Sequence, residues 1–247
     1  MSSVEFILAA FLAVIPRAKP EKSASGVVRR NSGFLAALGM AIVGLTTTAA
    51  HAGAQVEEAL SANVQNSLHR SVSDHPAPRL VFPTEGEGRS WLADMSSRLA
   101  LKIPDWPTRR DFLITVQYEA TRAGLDPQLV LGLIQHESNF RKYAISSAGA
   151  RGYMQVMPFW VVQIGNSGHD LFTLRTNLRY GCTILRYYLD RENGDLYRAL
   201  GRYNGSLGRP EYPNAVLESM QRHWQWSSAR ASAESGDAAR VGVTTTR

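Results

Sequence analysis

The sequence has few of the features that mark three common classes of protein. A single cysteine, Cys182, stands among 247 residues, which excludes a disulfide-stapled scaffold. No apolar run reaches the roughly 18–20 residues that a membrane-spanning helix needs, which excludes a polytopic membrane protein. Cys182 lies at helical spacing between Leu178 and Leu185, so we expect a buried apolar side chain there. With 44% hydrophobic and 19% charged residues, the chain can form a hydrophobic core.

Long runs of basic residues are also lacking. The net charge of the whole chain is +6, but the first 52 residues contribute five basic and two acidic side chains to it. The remainder has 22 basic and 19 acidic residues, a net charge of +3. A small charge without a basic run gives no surface that could follow a phosphate backbone, so we expect no nucleic-acid partner.

The first 52 residues have the three parts of a secretory signal peptide. Arg29 and Arg30 precede a short apolar core at residues 34–45, and the small-residue tripeptide Ala-His-Ala follows at residues 50–52. We expect cleavage after this tripeptide, export to the periplasm and no stable membrane insertion afterwards. The alternative is an uncleaved anchor. A second apolar run at residues 4–15 suggests that the assigned translation start lies too far upstream.

The remaining chain divides by composition into three parts. Residues 53–88 are rich in Ser, Asn, Pro and Gly, with apolar residues every fourth position from Val56 to Val72, which predicts a linker with one weak helix. Residues 89–226 have helical periodicity almost throughout and form the expected core domain. Residues 227–247 have no periodic apolar positions and are expected to be disordered.

Within the domain, helix signals predict a mainly α architecture. The first helix is expected to end at Pro104 and Pro107, and the second at Gly124. Asp126 and Pro127 are typical of the N-cap and first position of a third helix. Later helices are expected over residues 158–164, 174–191, 195–203 and 213–225, with a loop or small hairpin at residues 141–153.

Glu137 stands out near the end of the third helix. It follows Leu129 and Leu133 at intervals of four residues, so a carboxyl falls on the apolar face. Burial and the carbonyl oxygens of the helix end both raise a carboxyl pKa, which suits a general acid for a glycosidic oxygen. The alternative is that Glu137 turns into solvent. The neighbouring His136 has no second ligand at a suitable spacing, so a metal site is not expected.

Residues 137–158 resemble the signature of the lytic transglycosylases with a soluble-transglycosylase (SLT) domain, which have a lysozyme-like fold. Further blocks downstream extend the resemblance over about residues 110–215. The chain departs from the usual pattern at Tyr153, where Leu is common, and at Arg202, where Ala is common. The matching positions are Glu137-Ser138, Phe140, Ala144, Ser146, residues 148–150, Gly152, Met154-Gln155, Met157-Pro158, Asn177, Gly181 and residues 203–206.

The resemblance implies an α+β lysozyme-like fold, with one helical catalytic domain and a small excursion after the catalytic helix. It also implies a role for each motif residue. Gln155 and Asn204 would hydrogen-bond sugar N-acetyl groups, and Tyr203 would orient Glu137 or shield positive charge at C1. Ser138 and Ser146 would bind substrate or the catalytic carboxylate. For each of these residues the alternative is a purely local structural role.

The implied reaction cleaves the β-1,4 bond between N-acetylmuramic acid and N-acetylglucosamine in peptidoglycan and leaves 1,6-anhydro ends. Glu137 would act first as acid and then as base, with no metal and no cofactor. No Asp or Glu lies between Ser138 and His169, which fits a site with one carboxyl, although Asp170 or Glu211 could approach through the fold. The alternatives are a muramidase that activates water and a non-catalytic peptidoglycan-binding or secretion-accessory protein.

Overall fold

Eight α-helices and one π-helical turn account for most of the backbone in the computed structural model, which describes residues 55–73 and 76–227. The predicted mainly α fold class is confirmed. The predicted signal peptide lies outside the described residues, and so does the predicted tail except for Ser227. The helices are α1 (Ala62–Ser73), α2 (Glu85–Leu99), α3 (Trp106–Arg122), α4 (Pro127–Ser138), α5 (Phe159–Ile164), α6 (Leu174–Arg191), α7 (Leu196–Asn204) and α8 (Glu211–Ser219), followed by the π-helical turn Met220–Trp224.

The starts of the helices follow local capping chemistry. The side chain of Asp105 accepts a hydrogen bond from the backbone N–H of Thr108 at the start of α3. Asp126 caps α4 in the same way, and Asp195 caps α7. The structure differs from the prediction at Pro107, which lies in the first turn of α3 instead of ending α2. Proline is tolerated there because the N–H it lacks has no partner within the helix.

Helix α4 lies at the centre of the domain and packs against α3, α8 and the π-helical turn. Most of its residues are buried, on all sides of the helix. Gly132 allows the close approach, since a Cβ there would lie 2.9 Å from the backbone nitrogen of Met220. The side chains at the end of α4 are consequently enclosed by later parts of the chain.

The predicted excursion after α4 is small. Arg151 forms isolated antiparallel bridges with Ile145 and with Val156, between the end of α4 and the start of α5. We call residues 152–158 the signature turn. Gly152 has a φ of +75°, and a Cβ at this position would lie 2.4 Å from the side-chain nitrogen of Asn177. Glycine is therefore required by both the backbone conformation and the close packing.

The N-terminal boundary differs from the prediction. The expected domain start at residue 89 lies inside α2, and residues 55–73 pack against the domain through α1, which contacts α5 and α6. Leu68 and Val72 provide the buried face of α1. We call residues 55–73 the N-terminal segment. Leu60 and Val64 also pack against the core, and the segment makes additional polar contacts, which a search for apolar periodicity does not detect.

Candidate active site

Glu137 lies in the last turn of α4 and has an exposed fraction of 5%. The helix ends at Asn139, whose φ of 49° is left-handed. The carboxyl therefore lies on the buried face, as the spacing from Leu129 and Leu133 predicts, and does not turn into solvent.

The surroundings of the Glu137 carboxyl favour its neutral form. Burial raises its pKa from 4.5 to about 8, and a hydrogen bond from Tyr212 opposes the shift. The Tyr212 hydroxyl donates to Oε1 at 2.5 Å. The other oxygen, Oε2, is buried and has no hydrogen-bond partner in the described part of the chain. A protonated carboxyl with one oxygen held and the other available can donate a proton near neutral pH.

Tyr212 contacts the Glu137 carboxyl, a partnership that the sequence does not predict. It lies in the first turn of α8, is 5% exposed, and its ring packs edge-to-face on His136 with centroids 5.1 Å apart. Burial and the adjacent Glu137 charge raise its pKa well above the usual value. The tyrosine is thus a neutral hydrogen-bond donor. No spacing signal connects residues 75 positions apart, so only the packing of α8 on α4 reveals the contact.

Tyr203 lies near Glu137 but does not hydrogen-bond its carboxyl. Its hydroxyl donates to the carbonyl oxygen of Met154 at 2.8 Å, so the structure does not show it orienting Glu137 by a hydrogen bond. The residue is fully buried, and its pKa is raised first by burial and then by the nearby Glu137 charge. Tyr203 therefore connects the signature turn to the surroundings of the acid.

Gln155 and the two serines make local contacts. The Gln155 side-chain nitrogen donates to the carbonyl oxygens of Ala144 and Gly152, at 3.1 and 2.9 Å. Ser138 donates to the Ile134 carbonyl one turn earlier in α4. Ser146 accepts from the backbone N–H of Ala150. These contacts fit the alternative expectation for each of the three residues, a local structural role.

Asn204 differs from these residues because its side chain forms no hydrogen bond with any residue that the structure describes. It is the last residue of α7 and is 5% exposed. Its amide atoms are not among the buried side-chain atoms that lack a partner in the described chain. The expected contact between Asn204 and a sugar therefore stays a prediction.

Asn177 holds the signature turn. Its side-chain oxygen accepts from the Met154 backbone N–H at 2.8 Å, and its nitrogen donates to the carbonyls of Arg151 and Leu171, both at 2.8 Å. Gly181, one turn later in α6, lies against Met154, where a Cβ would be 2.3 Å from the sulfur. Asn177 therefore fixes the signature turn by hydrogen bonds, and Gly181 leaves space for the Met154 side chain.

A second acid is not among the causes of the Glu137 pKa. Those causes are burial and the Tyr212 hydrogen bond. Asp170 and Glu211, the two acids that the sequence left open as partners, are both exposed. Among residues 55–73 and 76–227, no group of three or more His, Cys, Asp or Glu side chains is placed to hold a metal ion. Within the same ranges, no helix is long and apolar enough to cross a membrane.

The surface has two cavities that the Glu137 side chain does not line. One of about 630 Å³ is bounded by α1, the end of α3 and α6, and one of about 690 Å³ lies between α2 and the π-helical turn. The site is therefore defined by the buried carboxyl and its neighbours and not by either of these cavities.

Comparison with known families gives a match to the transglycosylase SLT domain over residues 114–215. This range includes Glu137, Tyr203, Asn204 and Tyr212 but excludes the N-terminal segment. No solved structure matches the chain significantly.

Curated relatives match over part of their length. A membrane-bound lytic murein transglycosylase C of Haemophilus influenzae (strain PittEE) is 39% identical over 84 residues, which cover 34% of this chain and 21% of the relative. The protein of the same name from Mannheimia succiniciproducens is 42% identical over 66 residues, or 27% of this chain and 17% of the relative. A transglycosylase of Enterobacteria phage PRD1 is 31% identical over 113 residues, or 43% of this chain and 42% of the relative. The similarity thus spans less than half of each relative.

Proposed function

We propose that this protein is a peptidoglycan lytic transglycosylase, because residues 114–215 match the transglycosylase SLT domain. Its substrate would be the glycan strand, cut at the β-1,4 bond between N-acetylmuramic acid and N-acetylglucosamine. The observation that carries the proposal is the buried Glu137 carboxyl, whose pKa of about 8 keeps it protonated at neutral pH. The names of the murein transglycosylases above support the same substrate.

The reaction uses Glu137 twice. The carboxylic acid gives its proton to the glycosidic oxygen, and the bond from that oxygen to C1 of the muramoyl residue breaks. The resulting carboxylate takes the proton of the muramoyl 6-hydroxyl, whose oxygen forms a new bond to C1. The product carries a 1,6-anhydro ring, no water is consumed, and Glu137 is protonated again for the next cycle.

The neighbours of Glu137 fit these two steps. Tyr212 holds Oε1, so the proton is carried on Oε2, the oxygen without a partner in the described residues. After the first transfer, the same hydroxyl stabilises the carboxylate. Asn204, the last residue of α7, is the residue we assign to a sugar N-acetyl group. The contacts of Gln155, Ser138 and Ser146 support a role in shaping the site rather than in holding the sugar.

A muramidase on the same fold is the competing reaction. An inverting hydrolase needs a second carboxylate about 6.5–9.5 Å away to activate water, and a retaining one needs it at about 5–5.5 Å. The absence of Asp and Glu between Ser138 and His169 and the exposed positions of Asp170 and Glu211 support the non-hydrolytic route. The signal-peptide pattern of the first 52 residues supports export to the periplasm, where the substrate lies.

Digestion of purified murein followed by mass spectrometry tests the proposal. The chain is expected to release muropeptides with 1,6-anhydro ends, whereas reducing ends would identify a hydrolase. Glu137→Gln removes the acidic proton and is expected to lower the rate by about a thousandfold or more, with the fold retained.

Glu218→Gln provides the matched control, since it changes an exposed glutamate on α8 and should keep the full rate. A fully active Glu137→Gln variant would contradict both enzymatic mechanisms. A wild-type chain that binds murein without releasing fragments would instead support the non-catalytic binding role.

A further inference from the structure

Gln55 is a buried polar residue outside the matched domain, and it contacts the signature turn from a hundred positions away. Its exposed fraction is 4%. The side-chain nitrogen donates to the carbonyl oxygen of Gln155 at 3.3 Å. The side-chain oxygen accepts from the Met157 backbone N–H at 3.2 Å and from the Trp160 indole N–H at 3.1 Å. One amide thus bridges the backbone on both sides of residue 156.

The backbone at this point needs support. Gln155 has a φ of +49°, a left-handed conformation that costs energy for any residue with a Cβ. Such a conformation persists only where the surroundings hold it. The side chain of Gln155 binds the carbonyls of Ala144 and Gly152, while Gln55 binds the backbone groups of residues 155 and 157. Gln55 therefore supports the left-handed backbone at Gln155 through hydrogen bonds that the Gln155 side chain does not make.

The contacts extend from Gln55 to the acid. Met154, next to Gln155, accepts the hydrogen bond of the Tyr203 hydroxyl. Burial and then the Glu137 charge raise the pKa of Tyr203, which places this tyrosine near the acid. Gln55 thus contacts the turn whose Met154 carbonyl holds the tyrosine that lies near Glu137.

A second contact keeps the N-terminal segment in place. Glu58 forms ion pairs with Arg191 and, at 3.7 Å, with Arg202. Arg202 directly precedes Tyr203 and is the position where the chain departs from the usual alanine. Arg202 thus has an ion-pair partner in the N-terminal segment, Glu58. The same guanidinium also pairs with Glu192, so it joins that segment to α7 and the end of α6.

We propose that Gln55 is a positioning residue, which holds the signature turn and Tyr203 in place beside Glu137. The Glu58–Arg202 pair keeps the N-terminal segment seated for this purpose. The inference rests on the proposed transglycosylase function. It places a residue needed for efficient turnover 59 positions before the start of the matched domain.

The test substitutes Gln55→Met in the full chain, because methionine keeps the shape and removes the hydrogen bonds. Displacement of the turn is expected to lower kcat for anhydro-end release by about tenfold or more, while KM for murein stays within about twofold. Water that enters beside the displaced turn reduces the desolvation of Glu137. The alkaline limb of the kcat profile, near pH 8 in the wild type, should then move to lower pH.

Gln65→Met is the matched control. Gln65 lies in the same N-terminal segment and its side-chain nitrogen donates to the Gln163 carbonyl at 2.6 Å, at the α5 end of the contact and away from the signature turn. This variant should keep kcat and its pH profile even if it lowers Tm. Gln55→Asn keeps an amide that is one methylene shorter, and its kcat and alkaline limb should lie between those of wild type and Gln55→Met.

The outcomes separate this inference from the proposed function. Anhydro ends from the wild type, with unchanged kcat and pH profile in Gln55→Met or Gln55→Asn, would overturn the role of Gln55 alone. Equal losses of kcat in Gln65→Met and Gln55→Met would also overturn it, because loss of stability would then explain both. A wild type that releases no anhydro ends would remove the proposed function, and the positioning role with it.

Discussion

Glu119 and Glu137 are both buried glutamates, with exposed fractions of 0% and 5%, and their surroundings are opposite. Glu119, in α3, forms ion pairs with Arg122 at 2.9 Å, with Arg179 at 3.1 Å and with Arg175 at 3.6 Å. Glu137, in α4, has a tyrosine hydroxyl and no cation among its contacts in the described chain. The two residues share the same side chain and nearly the same burial.

The difference shows that burial alone does not decide what a carboxyl does. Taking an ionised group out of water is costly unless opposite charges compensate for it. At Glu119, Arg175 and Arg179 come from α6, so the charged cluster joins α3 to α6. At Glu137 the Tyr212 hydroxyl offsets only part of the cost of burial and no cation is in contact within the described chain, so the neutral acid is the stable form up to about pH 8. Glu119 therefore stabilises the fold, whereas Glu137 is suited to donate a proton.

The largest effect expected from this contrast is the loss of stability in Glu119→Gln. The substitution leaves three arginines around a neutral amide, and breaking a buried ion pair in this way costs about 3–5 kcal/mol. The midpoint of urea denaturation should fall accordingly, while kcat measured under conditions where the variant is folded should match the wild type.

Glu85→Gln serves as the control for the loss of a charged glutamate, because its pair with Arg89 is exposed and its removal should leave the midpoint unchanged. If folded Glu119→Gln lost its turnover, Glu119 would belong to the catalytic machinery and the contrast with Glu137 would fail.

A smaller effect is expected in the pH dependence of stability at Glu137. Its folded pKa of about 8 lies above the ordinary value of 4.5, so the unfolded chain releases this proton first as pH rises. The favourable contribution of the neutral carboxyl is complete below about pH 4.5 and is lost as pH rises to about 8. Over this window the wild type should lose up to a few kcal/mol relative to Glu137→Gln, whose amide does not titrate.

Urea denaturation of wild type and Glu137→Gln at several values between pH 4.5 and pH 9 measures this difference. The gap between the two proteins should widen with pH and level off above about pH 8. A constant gap would mean that the folded protein leaves the Glu137 pKa near its ordinary value, and the carboxyl would then resemble a solvated one.

The sequence predicts the acid better than it predicts the acid's partners. Local rules place Glu137 on the buried face of α4, because the spacing from Leu129 and Leu133 and the cap at Asp126 depend only on nearby residues. The contact with Tyr212 depends on how α8 packs over α4, and that packing involves the close approach of Gly132 to Met220. No local pattern contains this information.

The contacts of the N-terminal segment are a second feature that local sequence patterns do not predict. Its apolar spacing predicts a weak helix, and α1 includes the last two apolar positions of that pattern, Leu68 and Val72, as buried residues. Besides the apolar face of α1, polar contacts attach the segment to the domain, notably those of Gln55 at the signature turn and Glu58 at Arg202. Hydrogen bonds and ion pairs between distant residues leave no periodic trace, so the sequence suggests a linker where the structure has a packed element.

The smallest effect should come from Tyr212→Phe, which removes the hydrogen bond that lowers the pKa of Glu137. Without the hydroxyl, the pKa of Glu137 should rise above about 8, and the alkaline limb of the kcat profile should move upward by about one pH unit or less. The rate near neutral pH should fall by about tenfold, because the carboxylate formed in the first step loses its hydrogen bond.

Tyr197→Phe is the control, because it removes a hydroxyl that donates to the Pro210 carbonyl just before α8. It should leave both the alkaline limb and the rate near neutral pH unchanged. A shift of the alkaline limb to lower pH in Tyr212→Phe would mean that the main effect of Tyr212 is to keep water away from Glu137. The contrast between Glu137 and Glu119 would then depend more on exclusion of solvent than on whether a tyrosine or an arginine contacts the carboxyl.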